Sequence, residues 1–224
     1  MSTPTKPTGL LLAGGQSRRM QGAFPDGPKD KALLDIGGKP MLVHVIERLA
    51  PQVGDMVLSA NGDPARFASF GLPVVSDTIE DFAGPLAGLL AGMRWSQRKS
   101  PGTTHIVSVS TDAPFLPADL VVQFQSAVRD HEMAVAIARC GTQLHSVIGL
   151  WPVALADQLE AALVSGLRKV SAWTDRCETV VVDYAPVEMN GRKVDPFFNA
   201  NTPEELATAR QLLAPAGGET GNIS

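Results

Sequence analysis

Gly9-Leu10-Leu11-Leu12-Ala13-Gly14-Gly15-Gln16-Ser17-Arg18-Arg19-Met20 begins as an apolar run and stops at paired glycines, then passes into a serine and two arginines. A proline- and glycine-containing segment follows and ends at Lys29-Asp30-Lys31. A short buried strand that stops at Gly-Gly lets the backbone come close to a ligand, because glycine carries no Cβ. Backbone N–H groups in such a turn form an anion-binding concavity, and the arginines and lysines add positive charge. This is chemistry for a phosphate. The alternative is an ordinary strand-to-loop turn with solvated arginines. The stretch matches neither a Walker A motif nor a GxGxxG fingerprint, since neither spacing is present. Arg18 and Arg19 are adjacent and need not both face a ligand, and Lys29 and Lys31 both qualify for the lysine's part.

Outward from this strand, apolar runs alternate with helical periodicity. Leu10–Ala13, Met56–Ser59, Val74-Val75, His105–Ser110, Ala134–Ala138, Val147–Trp151 and Thr179–Val182 read as strands. Pro40–Leu49, Leu86–Trp95, Ala118–Arg129, Ala154–Val164 and Pro203–Leu213 read as helices. Pro40 suits a first turn, and Thr202 is a good N-cap for a helix starting at Pro203. The alternation predicts an α/β fold, a mostly parallel sheet with helices on both faces. No linker interrupts it, so residues 1–213 are expected to form one domain, with 214–224 a disordered tail.

Ligands of such sheets bind at the carboxyl ends of the strands. Polar or small residues stand at four of those ends: Gly14-Gly15, Ala60-Asn61-Gly62-Asp63, Ser76-Asp77 and Thr111-Asp112. Asp112, in the proline-stiffened Ser110-Thr111-Asp112-Ala113-Pro114 turn, is a candidate ligand for Mg²⁺, which takes one or two carboxylates plus substrate phosphates. Its alternative is a turn-capping aspartate. Asp77 is read either as an acceptor for a base or ribose or as an Asx turn. The glycines of Gly84-Pro85-Leu86-Ala87-Gly88-Leu89-Leu90-Ala91-Gly92 admit a ligand to a helix N-terminus or let the helix pack closely on the sheet; composition favours packing. Asn199 and Asn201 lie two apart, so an extended backbone points both amides one way, toward a phosphate or a metal shell. Helix capping explains Thr202 better than it explains the asparagines. His44, His105, His131 and His145 form no ligand cluster; His145 lies beside a predicted strand, and whether it reaches the site stays open.

Bulk properties exclude several classes. A net charge of −4 provides no basic field for nucleic acid. No apolar run approaches the roughly 20 residues of a membrane helix, and Met1–Thr8 lacks a signal-peptide core. Cytosol is the expected compartment. Cys140 and Cys177 lie far apart without metal-type spacing and read as ordinary thiols.

LLAGGQSRRM with its downstream DK, ANGD, VVSDTIEDFAGPLAGLLAGM, STDAPFLP, HSVIGLWP and FFNANTPEEL occur together and in order. In this combination, from about Thr8 to Leu213, the chain resembles the molybdenum cofactor guanylyltransferases. The resemblance implies a three-layer α/β/α nucleotidyltransferase fold, Rossmann-like and of the glycosyltransferase-A type. It implies transfer of GMP from GTP to molybdopterin with release of pyrophosphate, and Mg²⁺ as the metal. By motif, Leu12, Ala13, Gly14 and Gly15 resemble the nucleotide-binding loop, Lys31 the phosphate-contacting lysine, and Arg19 an arginine serving the phosphates. Asn61 and Asp77 match positions at the guanine nucleotide, Asp112 the Mg²⁺ ligand, and Asn199 and Asn201 a pair at the molybdopterin end. The family pattern usually runs from Arg-Met to Asp-Lys in a few residues; here 21–28 looks partly inserted, so Lys31 is preferred over Lys29 on the Asp-Lys pairing alone. Alternatives are the related cytidylyltransferase, against which LAGG at 12–15 argues, and a non-catalytic nucleotide-binding protein of cofactor delivery. Cofactor-insertion chaperones or molybdoenzymes are expected recipients of the product.

Overall fold

The computed structural model describes residues 6–13, 30–77 and 84–214. Its centre is β1 (Thr8–Leu12), buried along its whole length. A strand covered on both faces reads as a continuous apolar run, as this one does. β1 lies between β4 (Met56–Ser59) and β6 (His105–Ser110), parallel to both, and β5 (Val74–Val75) extends the sheet beyond β4. On the other side follow β8 (Gln143–Pro152), β7 (Val135–Cys140) and β9 (Thr179–Tyr184). The seven-stranded order is β5-β4-β1-β6-β8-β7-β9.

Successive side chains of β1 point to opposite faces and so divide the core. Leu11 joins Leu58, Val107 and Ala136 on the face covered by α1 (Met41–Leu49) and α3 (Leu120–Ala127). Leu10 and Leu12 join Val57 and Ile106 under α2 (Pro85–Lys99), α4 (Ala156–Val164) and α5 (Val170–Thr174). Three layers result. Gly92 explains how α2 lies so close to the sheet, since a Cβ there would stand 2.6 Å from Leu10 Cδ2. At Gly88 a Cβ would meet Ser59 Oγ at 2.7 Å and Leu12 Cδ2 at 2.9 Å. Close packing is therefore what both glycines permit.

β8 is antiparallel to β6 and β7, the single reversal in the sheet. It returns from β7 through a tight turn in which Gly141 adopts φ 57°. Its register with β7 shifts between Ile137 and Ala138, and Gly149 sits beside that irregularity, where a Cβ would lie 2.5 Å from the Ala136 carbonyl oxygen. The first of the expected helices also starts one residue late. Pro40 belongs to β3 (Lys39–Pro40), paired with β2 (Asp35–Ile36), and only caps α1.

α6 (Pro203–Leu213) completes the molecule's third apolar cluster, packing Leu206, Ala209 and Leu212 against Ile36, Met41 and Phe115. It follows a small hairpin outside the main sheet, β10 (Val187–Met189) with β11 (Arg192–Val194). The tail expected over 214–224 lies outside the described residues from position 215 on. Among the described residues, no helix is long and apolar enough to cross a membrane.

Candidate active site

The carboxyl ends of β1, β4, β5 and β6 border one cavity of about 650 Å³. Leu12 and Ala13, Ser59 to Asn61, Asp77, and Ser110 to Asp112 all line it, so three of the predicted polar strand ends meet in space beside the end of β1. Hydrogen bonds across the ladder register these ends. Ala13 N–H donates to the Ser59 carbonyl at 2.9 Å, Ala60 N–H to the Val75 carbonyl at 2.9 Å, and Thr111 N–H to the Leu12 carbonyl at 3.3 Å. Ala13 thus contributes wall to the cavity, and its N–H is taken by Ser59. Gly14, Gly15, Arg18, Arg19 and Lys29 lie outside the described residues.

At one end, under β4 and β5, Asn61 and Asp77 form a reciprocal pair. Asn61 Nδ2 donates to Asp77 Oδ2 at 2.7 Å, and Asp77 N–H donates back to Asn61 Oδ1 at 3.0 Å. Partial burial pushes the Asp77 carboxyl above its ordinary pKa, against the pull of the Asn61 N–H.

At the β6 end, Asp112 is 2% exposed. Its two carboxylate oxygens are separately engaged: Ser110 Oγ–H donates to Oδ1 and the Lys31 ammonium to Oδ2. Lys31 Nζ also donates to Asn201 Oδ1 at 2.6 Å. Lys31 opens a short turn capped by Asp30, whose Oδ1 accepts from Ala32 N–H at 3.1 Å. Asn201 is held by the start of α6. Glu205 Oε2 accepts from Asn201 N–H at 2.7 Å and Thr202 N–H at 2.9 Å, while Thr202 Oγ1 accepts from Glu205 N–H. This reciprocal capping satisfies orphan N–H groups of the helix and leaves the Asn201 amide for the cavity. Ala200 N–H donates to the Asp112 backbone carbonyl at 3.2 Å and ties the two segments together.

The donor set suits a hard divalent cation. A buried carboxylate, a hydroxyl and an amide oxygen converge, and a cation already stands among them, the Lys31 ammonium between Asp112 and Asn201. Among the described residues no group of three or more His, Cys, Asp or Glu side chains could hold a metal by itself. A Mg²⁺ ion here would take its remaining ligands from phosphate and water, its usual habit.

Asn199 and Asn201 do not share one surface. Asn201 borders the cavity, whereas Asn199 Oδ1 is buried with no hydrogen-bond partner among the described residues. His145 pairs through Nε2 with Asp195 Oδ2 at 2.8 Å, at the start of the asparagine segment. Sequence reasoning missed Arg66, which lines the cavity and touches both of its ends, and Glu205, which fixes Asn201. The signal for Glu205 was present as Thr202-x-x-Glu205 ahead of an apolar helix.

A mostly parallel sheet with one reversed strand and a polar cavity across its central strand ends defines a nucleotidyltransferase fold. Solved structures agree. The molybdopterin-guanine dinucleotide biosynthesis protein A of Archaeoglobus fulgidus aligns with TM-score 0.67 at 20% identity, covering 92% of this chain and 97% of that one. A CMP:2-keto-3-deoxy-manno-octonic acid synthetase complexed with CTP aligns with TM-score 0.64 at 16% identity, covering 94% and 98%. Residues 9–180 match the MobA-like NTP transferase domain. The molybdenum cofactor guanylyltransferase of Bradyrhizobium sp. strain ORS 278 is 49% identical over 95% of this chain and 96% of its own length. That of Nitrobacter hamburgensis is 45% identical over 97% and 100%. The chain belongs to the molybdenum cofactor guanylyltransferase family, and it is a nucleotidyltransferase.

Proposed function

We propose that the cavity binds GTP, with guanine toward Asn61 and Asp77 and the triphosphate toward Lys31, Asp112 and Asn201, and that GMP passes to molybdopterin. The observation that carries this reading is the polarity of the cavity. An amide–carboxylate pair stands at one end, under β4 and β5, and a cation with its carboxylate stands at the other, under β6. In the sheet order β1 separates the two, so the ends lie about 10 Å apart by strand spacing. That is a span for a nucleoside joined to phosphates.

A terminal phosphate oxygen of molybdopterin attacks the α-phosphorus of GTP. The bond to the α,β-bridging oxygen breaks, and its electron pair leaves with pyrophosphate. The attacking phosphate is already anionic near neutral pH, so no side chain has to accept a proton. The difficulty is the meeting of two polyanions, and positioning with charge stabilisation supplies most of the rate. Lys31 brings positive charge to the phosphates, assisted by Arg19, with Gly14 and Gly15 as backbone donors. Mg²⁺, bound at Asp112 beside Ser110 and Asn201, would supply further neutralisation of phosphate oxygens. Asn201, the member of the asparagine pair that borders the cavity, serves the molybdopterin end.

Calorimetric titration with GTP and with CTP, each with and without Mg²⁺, tests the reading. Selective, Mg²⁺-dependent binding of GTP is the expected outcome. Preference for CTP moves the protein to the cytidylyl branch, and binding of neither by the folded protein removes the nucleotide from the cavity.

A further inference from the structure

Arg66 sits in the cavity wall, on the short helical segment Pro64–Phe70, and joins its two ends. Toward the Asn61–Asp77 end, its Nη2 donates to the Asn61 carbonyl at 2.7 Å and its Nη1 to the Asp63 carbonyl at 2.5 Å. Gly62 turns these two carbonyls toward the guanidinium by adopting φ 82°, the left-handed region open to glycine. Toward the Lys31 end, Arg66 Nε donates to Asp30 Oδ2 at 3.3 Å. The other oxygen of that carboxylate caps the turn that Lys31 opens. The guanidinium carbon lies 4.5 Å from the ring centroid of Phe67, which is 1% exposed and anchored in the core. The planar fork is thus held on three sides and by a ring.

From this geometry, and resting on the GTP reading above, we infer that Arg66 is a positioning residue that sets the separation between the base-binding and phosphate-binding halves of the cavity. It acts through Asn61 and Asp30 rather than through the nucleotide. Asn61 and Lys31 come from different loops of the chain, and no other described side chain is hydrogen-bonded to both Asn61 and Asp30. A ligand that spans both halves gains from having their spacing preset, because the ordering cost is met before binding. A ligand that occupies one half gains little. Lysine is no substitute, since a point charge on a flexible stem does not reproduce a fork reaching two carbonyls and a carboxylate.

The test is calorimetric titration of wild type, Arg66→Gln, Arg66→Lys and Asp30→Asn with GTP and with inorganic triphosphate, all with Mg²⁺. Arg66→Gln is expected to weaken GTP about tenfold and to leave triphosphate within about twofold. Arg66→Lys should not rescue GTP binding, and Asp30→Asn should weaken GTP in the same direction. The double variant Arg66→Gln/Asp30→Asn should bind GTP no more weakly than the worse single variant, since both changes break one connection. Unchanged GTP affinity in Arg66→Gln overturns the inference. So does a matching loss for triphosphate, which marks a direct phosphate contact, and so does full rescue by lysine, which marks a bare charge effect. If Arg66→Gln melts below the working temperature, Arg66→Lys and Asp30→Asn decide on the same criteria. Failure of the folded wild type to bind GTP overturns the GTP reading itself and this inference with it.

Discussion

Lys31 and Asp112 stand 81 positions apart in the chain and form an ion pair in the cavity, with Asn201 completing the contact from a third segment. The Asp112 side chain is almost wholly buried, and the Lys31 side chain is 16% exposed. A pair so placed is costly to break from one side, because the remaining charge loses its partner away from water.

Asp112→Ala should therefore lose GMP transfer by about 100-fold or more, the scale of removing a preorganised electrostatic group. The fold should persist, since the core clusters do not depend on this side chain. Pyrophosphate release and circular dichroism measure the two effects. Near-normal turnover removes Asp112 from the mechanism.

Lys31→Gln should weaken GTP binding more than Lys29→Gln, because the Lys31 ammonium stands between Asp112 and Asn201. Binding isotherms for the two variants separate them. An equal loss in both would withdraw the preference for Lys31.

Thr202→Ala and Glu205→Ala should part in activity. Both remove half of the reciprocal cap on α6 and should cost about 1 kcal/mol of stability. Glu205→Ala also releases Asn201 N–H, so it should lower kcat/KM for the molybdopterin substrate where Thr202→Ala does not. Thermal melts with steady-state kinetics read the split; identical kinetics would mean that Asn201 is held by other contacts.

Gly88→Ala and Gly92→Ala form a second contrast. Each Cβ would overlap its neighbours, and overpacking of this kind typically costs about 1–3 kcal/mol. The overlap at Gly88 falls on Ser59 and Leu12, which line the cavity, so that variant should lose GTP affinity as well. At Gly92 the three nearest atoms all belong to Leu10, which is not among the cavity-lining residues, and that variant should lose stability alone. Melting temperature and GTP affinity, measured on both, check the assignment.

The pH dependence of stability should carry a signature of Asp77. Burial raises its pKa in the folded state above the reference value of 3.8, so the folded protein holds this proton more tightly than the unfolded chain. Its contribution is fully present below the unfolded pKa and is lost as pH rises through the folded one. Asp77→Asn should accordingly melt higher than wild type at neutral pH, and the gap should close as pH falls toward about 3.8. The same variant should bind GTP less tightly. A gap that is constant with pH would show that the carboxyl is unperturbed.

Apolar periodicity marked out the seven strands of the main sheet and five of its helices, and the turn residues placed polar groups at the right strand ends. Both signals are local. They depend on whether neighbouring residues alternate toward a core or repeat every three to four positions, and that is written along the chain. Short elements with little periodicity, such as the small hairpins β2–β3 and β10–β11 and helix α5, left too weak a pattern to read.

What the sequence determined by itself is the α/β alternation, a buried first strand, read as Leu10–Ala13 and found at Thr8–Leu12, and the family membership that six ordered motifs imply. Tertiary structure alone decided that β8 runs against its neighbours, that Lys31 meets both Asp112 and Asn201, that Asn201 rather than Asn199 lines the cavity, and that Arg66 connects the two ends. The physical reason is range. Secondary structure and strand-end chemistry are set by interactions over a few residues, whereas a contact across 81 or 170 positions exists only once the order, direction and register of the strands have been fixed by packing the whole core.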